Sequence, residues 1–172
     1  MCVDIKECAL NQVELLQQVC QETFKDTFGE FNTPEDMENH LQNAYTIEKL
    51  TNSLQNEKTW VYLIYKDEQV AGYLKLNCDD AQSEPMGEDT LEIECIYIRM
   101  PFKRQGLGQL LFNHAVNKAK ELGKTKIWLG VWEYNQPAIA FYQSLGFKQN
   151  GSHSFWVGQD EQIDYIMEKI LD

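Results

Sequence analysis

The chain of 172 residues reads as one α/β domain, a sandwich of helices on a mixed β-sheet. Three observations carry this reading. Strand-like and helix-like runs follow one another in the order β-ααα-β-β-β-α-β-α-β-β. Residues 126–133, KIWLGVWE, are almost continuously apolar, as an interior strand covered on both faces is. Residues 91–111, LEIECIYIRMPFKRQGLGQLL, pass from a β-branched and aromatic strand, through Pro101 and two glycines, into an amphipathic helix.

The first strand is short, residues 3–8. Asn11 stands as N-cap of a helix carrying Leu15, Leu16, Val19 and Phe24 to Phe28, which Gly29-Glu30-Phe31-Asn32 ends. Thr33 caps a second helix, with Pro34 at the first helical position and Asp36 three residues after the cap. A third runs from Thr46 through Ile47, Leu50 and Leu54. Residues 59–66 and 69–76 form a hairpin about Asp67-Glu68. Residues 79–90, DDAQSEPMGEDT, hold five acidic residues in twelve and read as a loop around Pro85 and Gly87. After the strand 91–99, Leu107, Leu110, Leu111, Ala115, Ala119 and Leu122 mark a long helix that stops at Gly123. The interior strand follows, then a short helix 138–145 stopped by Gly146, then strands 147–157 and 162–170 around Gly158.

Composition excludes several classes. A net charge of −12 opposes nucleic acid, whose phosphates it repels. It suits a cationic partner, or solubility alone. The five cysteines are odd in number and scattered, which predicts free thiols in a reducing cytoplasm. Histidines 40, 114 and 153 show no ligand spacing, so no metal is expected. Without an 18-residue apolar run or a basic-then-apolar N-terminus, neither a membrane span nor a signal peptide is expected.

The turn after residue 99 carries the chemistry. A strand feeding a glycine turn that opens a helix presents free backbone N–H groups at the positive end of the helix dipole, which suits a phosphate or pyrophosphate. The Walker pattern is excluded, because no Lys-Ser or Lys-Thr follows these glycines. GLGQLL also lacks the third glycine of the dinucleotide fingerprint. What remains is K-x-x-G-x-G after an apolar strand, Lys103 to Gly108.

Together with NQPAIAFYQSLGF, residues 135–147, this turn resembles the GCN5-related N-acetyltransferases, the GNAT superfamily, over the whole chain. The resemblance implies a mixed, mostly antiparallel central sheet of six to seven strands with helices on both faces. It implies acetyl-CoA as co-substrate and no metal. The pyrophosphate would be held by the turn Lys103, Arg104, Gln105, Gly106, Leu107, Gly108 and Gln109, and completed by Asn135 and Ala138. Lys103 departs from the family, which usually has Gln or Arg there; it keeps the charge and loses the guanidinium fork. The strand before the turn is expected to splay from its neighbour, so that main-chain groups of Ile96, Tyr97 and Ile98 pair with the pantetheine arm.

Tyr142 is the candidate acid for the departing thiolate, since a phenol stays protonated at neutral pH. It follows Asn135 by seven residues, about two helical turns, so both can face one ligand. Phe141-Tyr142 as an aromatic core pair is the competing reading. Glu92 and Glu94 alternate with Ile93 and Cys95 and are candidates for the base, or for seating an ammonium without proton transfer. The segments TFKDTFGEFNTPEDMENHL, DDAQSEPMGEDTLEIE, IWLGVWE and GSHSFWVGQDEQ resemble the spermidine/spermine branch of the family. That likeness implies a polyamine acceptor, with Glu22, Asp26, Glu30, Glu35, Asp36 and Glu38 as an acidic wall or merely a solvated face. A homodimer is compatible with these residues and not demanded by them.

Overall fold

The computed structural model describes residues 2–171. Seven strands form one sheet in the order β1-β2-β3-β4-β5-β7-β6: β1 (Val3–Glu7), β2 (Thr59–Lys66), β3 (Gln69–Cys78), β4 (Thr90–Ile98), β5 (Lys126–Trp132), β6 (Lys148–Val157) and β7 (Asp160–Ile170). Neighbours are antiparallel except β4 and β5, which run parallel. Five helices cover it: α1 (Val13–Phe28), α2 (Pro34–Ala44), α3 (Ile47–Gln55), α4 (Leu107–Glu121) and α5 (Gln136–Ser144). This is the mixed, mostly antiparallel α/β architecture expected. Among the described residues, no helix is long and apolar enough to cross a membrane.

The two faces of the sheet bury different sets. Leu107, Leu111, Phe112, Ala115 and Ala119 of α4 pack with Leu74, Leu76, Leu91, Ile93, Ile127 and Leu129. On the other face, Leu16, Val19 and Cys20 of α1 and Leu50 of α3 pack with Leu63 and Tyr73. Thr33 and Thr46 cap α2 and α3, each hydroxyl accepting an N–H three residues on at 3.1 Å. Asn11 does not cap α1. It sits inside a 3₁₀ turn, Leu10–Gln12, and Gln12 closes that turn by accepting the Ala9 N–H at 3.0 Å. The longer glutamine side chain reaches back three residues, a bond the sequence reading of Asn11 overlooked.

Two irregularities in β4 shape the site. Pairing with β3 runs Asn77↔Glu92 and Leu76↔Ile93, then shifts to Lys75↔Cys95, so Glu94 is an extra residue without a partner. Leu91 and Ile93 before this bulge, and Ile96 and Ile98 after it, all pack on the α4 side. Cys95 and Tyr97 pack on the α1 side with Tyr73, so Cys95 does not alternate with Glu94 as the uninterrupted pleat implies. The second irregularity is a parting of strands. β4 and β5 are paired only from Thr90↔Lys126 to Ile93↔Leu129, while β5 stays paired with β7 as far as Trp132↔Asp164.

Gly72 locks β3 to the end of β4. A Cβ there would overlap the Tyr97 carbonyl oxygen and lie 2.9 Å from Ile98 Cδ1. Gly72→Ala is expected to cost ~1–3 kcal/mol by overpacking, read as a Tm several degrees lower; an unchanged Tm would show that β4 yields there.

Candidate active site

A cleft of about 600 Å³ opens where β4 and β5 part. It runs from the α4/α5 side to Thr23, Asp26, Thr27 and Phe28 of α1. It gathers Glu94, Ile96, Tyr97, Ile98, Lys103, Arg104, Gly106, Leu107, Gly108, Gln109, Asn135, Ala138 and Tyr142 on its walls. Gln105 and Glu92 are outside that lining.

One end is built for an anion. Arg104 and Gly106 both have left-handed backbone, at φ 63° and 79°, a tight turn of the kind from which anion-binding sites are built. Gly106 is the N-cap of α4 and has no side chain to satisfy the helix. The first helical bond runs from Leu110 N–H to the Gly106 carbonyl at 3.2 Å. The N–H groups of Leu107, Gly108 and Gln109 therefore have no acceptor within α4. A Cβ on Gly106 would meet nothing within 4 Å, and one on Gly108 nothing nearer than Phe141 Cζ at 3.8 Å. The protein itself leaves this space open, and an oxyanion fits it. Together with the cations Lys103 and Arg104, the turn fits a pyrophosphate.

In the middle, β4 beyond Ile93 offers main-chain groups with no ladder partner on β5, an edge for an extended chain to pair with. Asn135 caps α5, its Oδ1 accepting the Ala138 N–H at 3.3 Å, which leaves its NH₂ available to the cleft. Tyr142 is buried against Phe141 and Phe147, with ring centroids 5.5 and 5.7 Å away. Burial pushes its phenol well above the usual tyrosine range, so it carries its proton at neutral pH. Tyr142 packs as core, as the competing reading expects, and it also lines the cleft.

The far end is acidic. Asn77 Nδ2 donates to Glu92 at 3.0 Å and to Glu94 at 2.8 Å, drawing both carboxylates to one side of β4. Glu94 also pairs with Lys75 at 2.9 Å and reaches the cleft. Glu92 is only 3% exposed, and it accepts the Ser83 N–H at 2.8 Å. Desolvation raises its pKa, while the Asn77 and Ser83 bonds oppose that rise. Of the helix carboxylates, Asp26 lines the cleft; Glu22 is instead held by Arg99 at 2.7 Å. In the 79–90 loop, Asp79 is neutralised by Lys58 and Lys124 at 3.2 and 3.1 Å.

Three residues at this end escaped the sequence reading. Asp164 on β7 lines the cleft, His153 on β6 lies 3.4 Å from it, and Glu84 lies 3.0 Å from the other ring nitrogen. A signal was present: folding the last two strands about Gly158 sets His153 opposite Asp164. Phe28 and Trp132 line the cleft, and the exposed Phe31 and Tyr134 pack against Trp132. Among the described residues, no group of three or more His, Cys, Asp or Glu is placed to hold a metal ion.

A splayed parallel strand pair beside a phosphate-binding helix turn defines an acyl-CoA-dependent transferase site. Residues 16–147 match the acetyltransferase (GNAT) family, and the chain belongs to it. It is 43% identical over 153 residues, covering 89% of this chain and 88% of the other, to an uncharacterised N-acetyltransferase in the pepI 3′ region of Lactobacillus delbrueckii subsp. lactis. It is 22% identical over 98% of both chains to the spermidine N(1)-acetyltransferase of Thermoplasma acidophilum. Its fold superposes with a TM-score of 0.81, at 22% identity over 99% of both chains, on the PaiA N-acetyltransferase of Thermoplasma acidophilum in complex with coenzyme A. The protein is an acetyl-CoA-dependent N-acetyltransferase.

Proposed function

We propose that the acceptor is a polyamine of the spermidine/spermine class, acetylated on a primary amine by direct transfer while both substrates are bound. The observation that carries this reading is the carboxylate content of the cleft wall, to which Asp26 of α1, Glu94 of β4 and Asp164 of β7 all contribute. The Thermoplasma relative named a spermidine N(1)-acetyltransferase, similar over 98% of both chains, supports it. The net charge of −12 would raise the local concentration of a polycation, and the free thiols suit a reducing cytoplasm.

Acetyl-CoA brings an activated acetyl thioester, and the roles of the chain follow from placement. The N–H groups of Leu107 to Gln109, with Lys103 and Arg104, hold the pyrophosphate. The free edge of Ile96, Tyr97 and Ile98 and the amide of Asn135 position the pantetheine arm. Tyr142 donates a proton to the leaving sulfur. Glu94 seats an acceptor ammonium, and Glu92 anchors Asn77 behind it.

A screen of spermidine, spermine, a simple monoamine, an amino acid and an aminoglycoside tests the acceptor. Each exposed ion pair is worth only ~0.2–1 kcal/mol, so polyamine affinity rests on several acting together. KM for spermidine is expected to rise steeply with salt while that for acetyl-CoA moves less. Equal turnover of a monoamine and spermidine, insensitive to salt, would assign the charge to solubility.

A further inference from the structure

We propose that Asp164, backed by His153, is the base that takes the proton from the acceptor ammonium. The inference rests on N-acetyl transfer and not on which amine is acetylated. Asp164 stands at the acceptor end of the cleft, paired in register with Trp132 just beyond the point where β4 leaves β5. Gly130, its diagonal neighbour, makes the room: a Cβ there would lie 3.1 Å from Asp164 Oδ2 and 3.3 Å from His153 Nε2.

The imidazole lies between two carboxylates, Nδ1 3.0 Å from Glu84 Oε1 and Nε2 3.4 Å from Asp164 Oδ2. A neutral ring has one N–H and can donate to only one of them. With that proton on Nδ1, donated to Glu84, the Nε2 lone pair faces the Asp164 carboxylate. Two acceptors then confront each other, and a proton placed between them relieves the repulsion. Burial raises the pKa of Asp164, and the charge and hydrogen bond of a protonated His153 oppose that rise. Asp26 of α1 shares the cleft and adds negative charge that attracts an ammonium, Glu94 of β4 shares it with Lys75 beside it, and Tyr97 is a further titratable neighbour. Glu94, by contrast, is already engaged by Lys75 and Asn77.

The step balances. The ammonium proton passes to the Oδ2–Nε2 pair, and the freed lone pair forms the C–N bond to the acetyl carbon. The C–S bond breaks, the departing sulfur takes the proton of Tyr142, and the second proton shed by the new amide nitrogen restores the Tyr142 phenol, while the first leaves the Oδ2–Nε2 pair to solvent.

The test compares Asp164→Asn, His153→Gln and Glu94→Gln, using whichever amine is acetylated best, between about pH 6 and 10. Asp164→Asn is expected to lower kcat by ~10²–10³ near neutral pH with KM for acetyl-CoA unchanged. The deficit should shrink at alkaline pH, where the amine arrives already neutral. His153→Gln should lose less and move the acid-side limb of kcat/KM. If Asp164→Asn fails to bind acetyl-CoA, His153→Gln and Glu84→Gln, which keep the carboxylate, carry the same pH test. A kcat for Asp164→Asn within about threefold of the parent, a rise confined to acceptor KM, or a pH-dependent loss appearing in Glu94→Gln instead would overturn the assignment. Failure of polyamines in the screen would leave it standing.

Discussion

Replacing Tyr142 by phenylalanine is expected to lower kcat by ~10²–10⁴, the range for a lost general acid, with acetyl-CoA affinity nearly unchanged. The reason is geometric. The Tyr142 ring packs with Phe141 and Phe147 in the buried cluster beneath α4 and α5, and phenylalanine fills that place with the same ring. Only the hydroxyl facing the cleft is removed. Because burial raises the phenol's pKa, it keeps its proton at neutral and mildly alkaline pH. The split between kcat and cofactor affinity is therefore the measurement that matters. A kcat loss of less than about threefold would return Tyr142 to packing alone.

Gly106→Asp is expected to abolish acetyl-CoA binding while the protein stays folded. The position has φ 79°, and a Cβ there meets nothing within 4 Å, so the side chain fits and the cost is backbone strain. Aspartate tolerates left-handed backbone better than most residues. Its carboxylate, though, would sit at the N-terminus of α4 and occupy the N–H groups offered to the pyrophosphate. Gly106→Ala separates the two effects, because it adds the strain without the charge. Calorimetric titration with acetyl-CoA, beside a thermal melt, reads both. Unchanged affinity in the aspartate variant would remove this turn from the binding site.

Much of this was legible in the chain. Among the described residues each expected strand and helix is present with ends shifted by a few residues, because each apolar stripe has one face to bury. The glycine turn was legible too, since Arg104 and Gly106 adopt left-handed backbone in a sequence that marks a turn. What escaped depends on tertiary neighbours. The pairing of Glu94 with Lys75 needs the register of β3 on β4, and the Glu84–His153–Asp164 chain joins a loop to a distant hairpin. The acidic wall divided for the same reason. Arg99 lies 77 residues from Glu22 in the chain, yet the fold makes them an ion pair and leaves Asp26 for the cleft.

The extra residue in β4 has a consequence for anyone who would alter what this enzyme accepts. Positions 92, 95 and 97 turn toward α1, whereas 91, 93, 96 and 98 turn toward α4. A library that varies every second codon along the strand would start on one side of the sheet and finish on the other, mixing changes on the α1 face with changes on the α4 face. Deleting Glu94 would restore strict alternation and leave Cys95, Ile96, Tyr97 and Ile98 on the faces they already hold, removing only the carboxylate that reaches the cleft. Selectivity should be retuned around that hinge of parity, never across it.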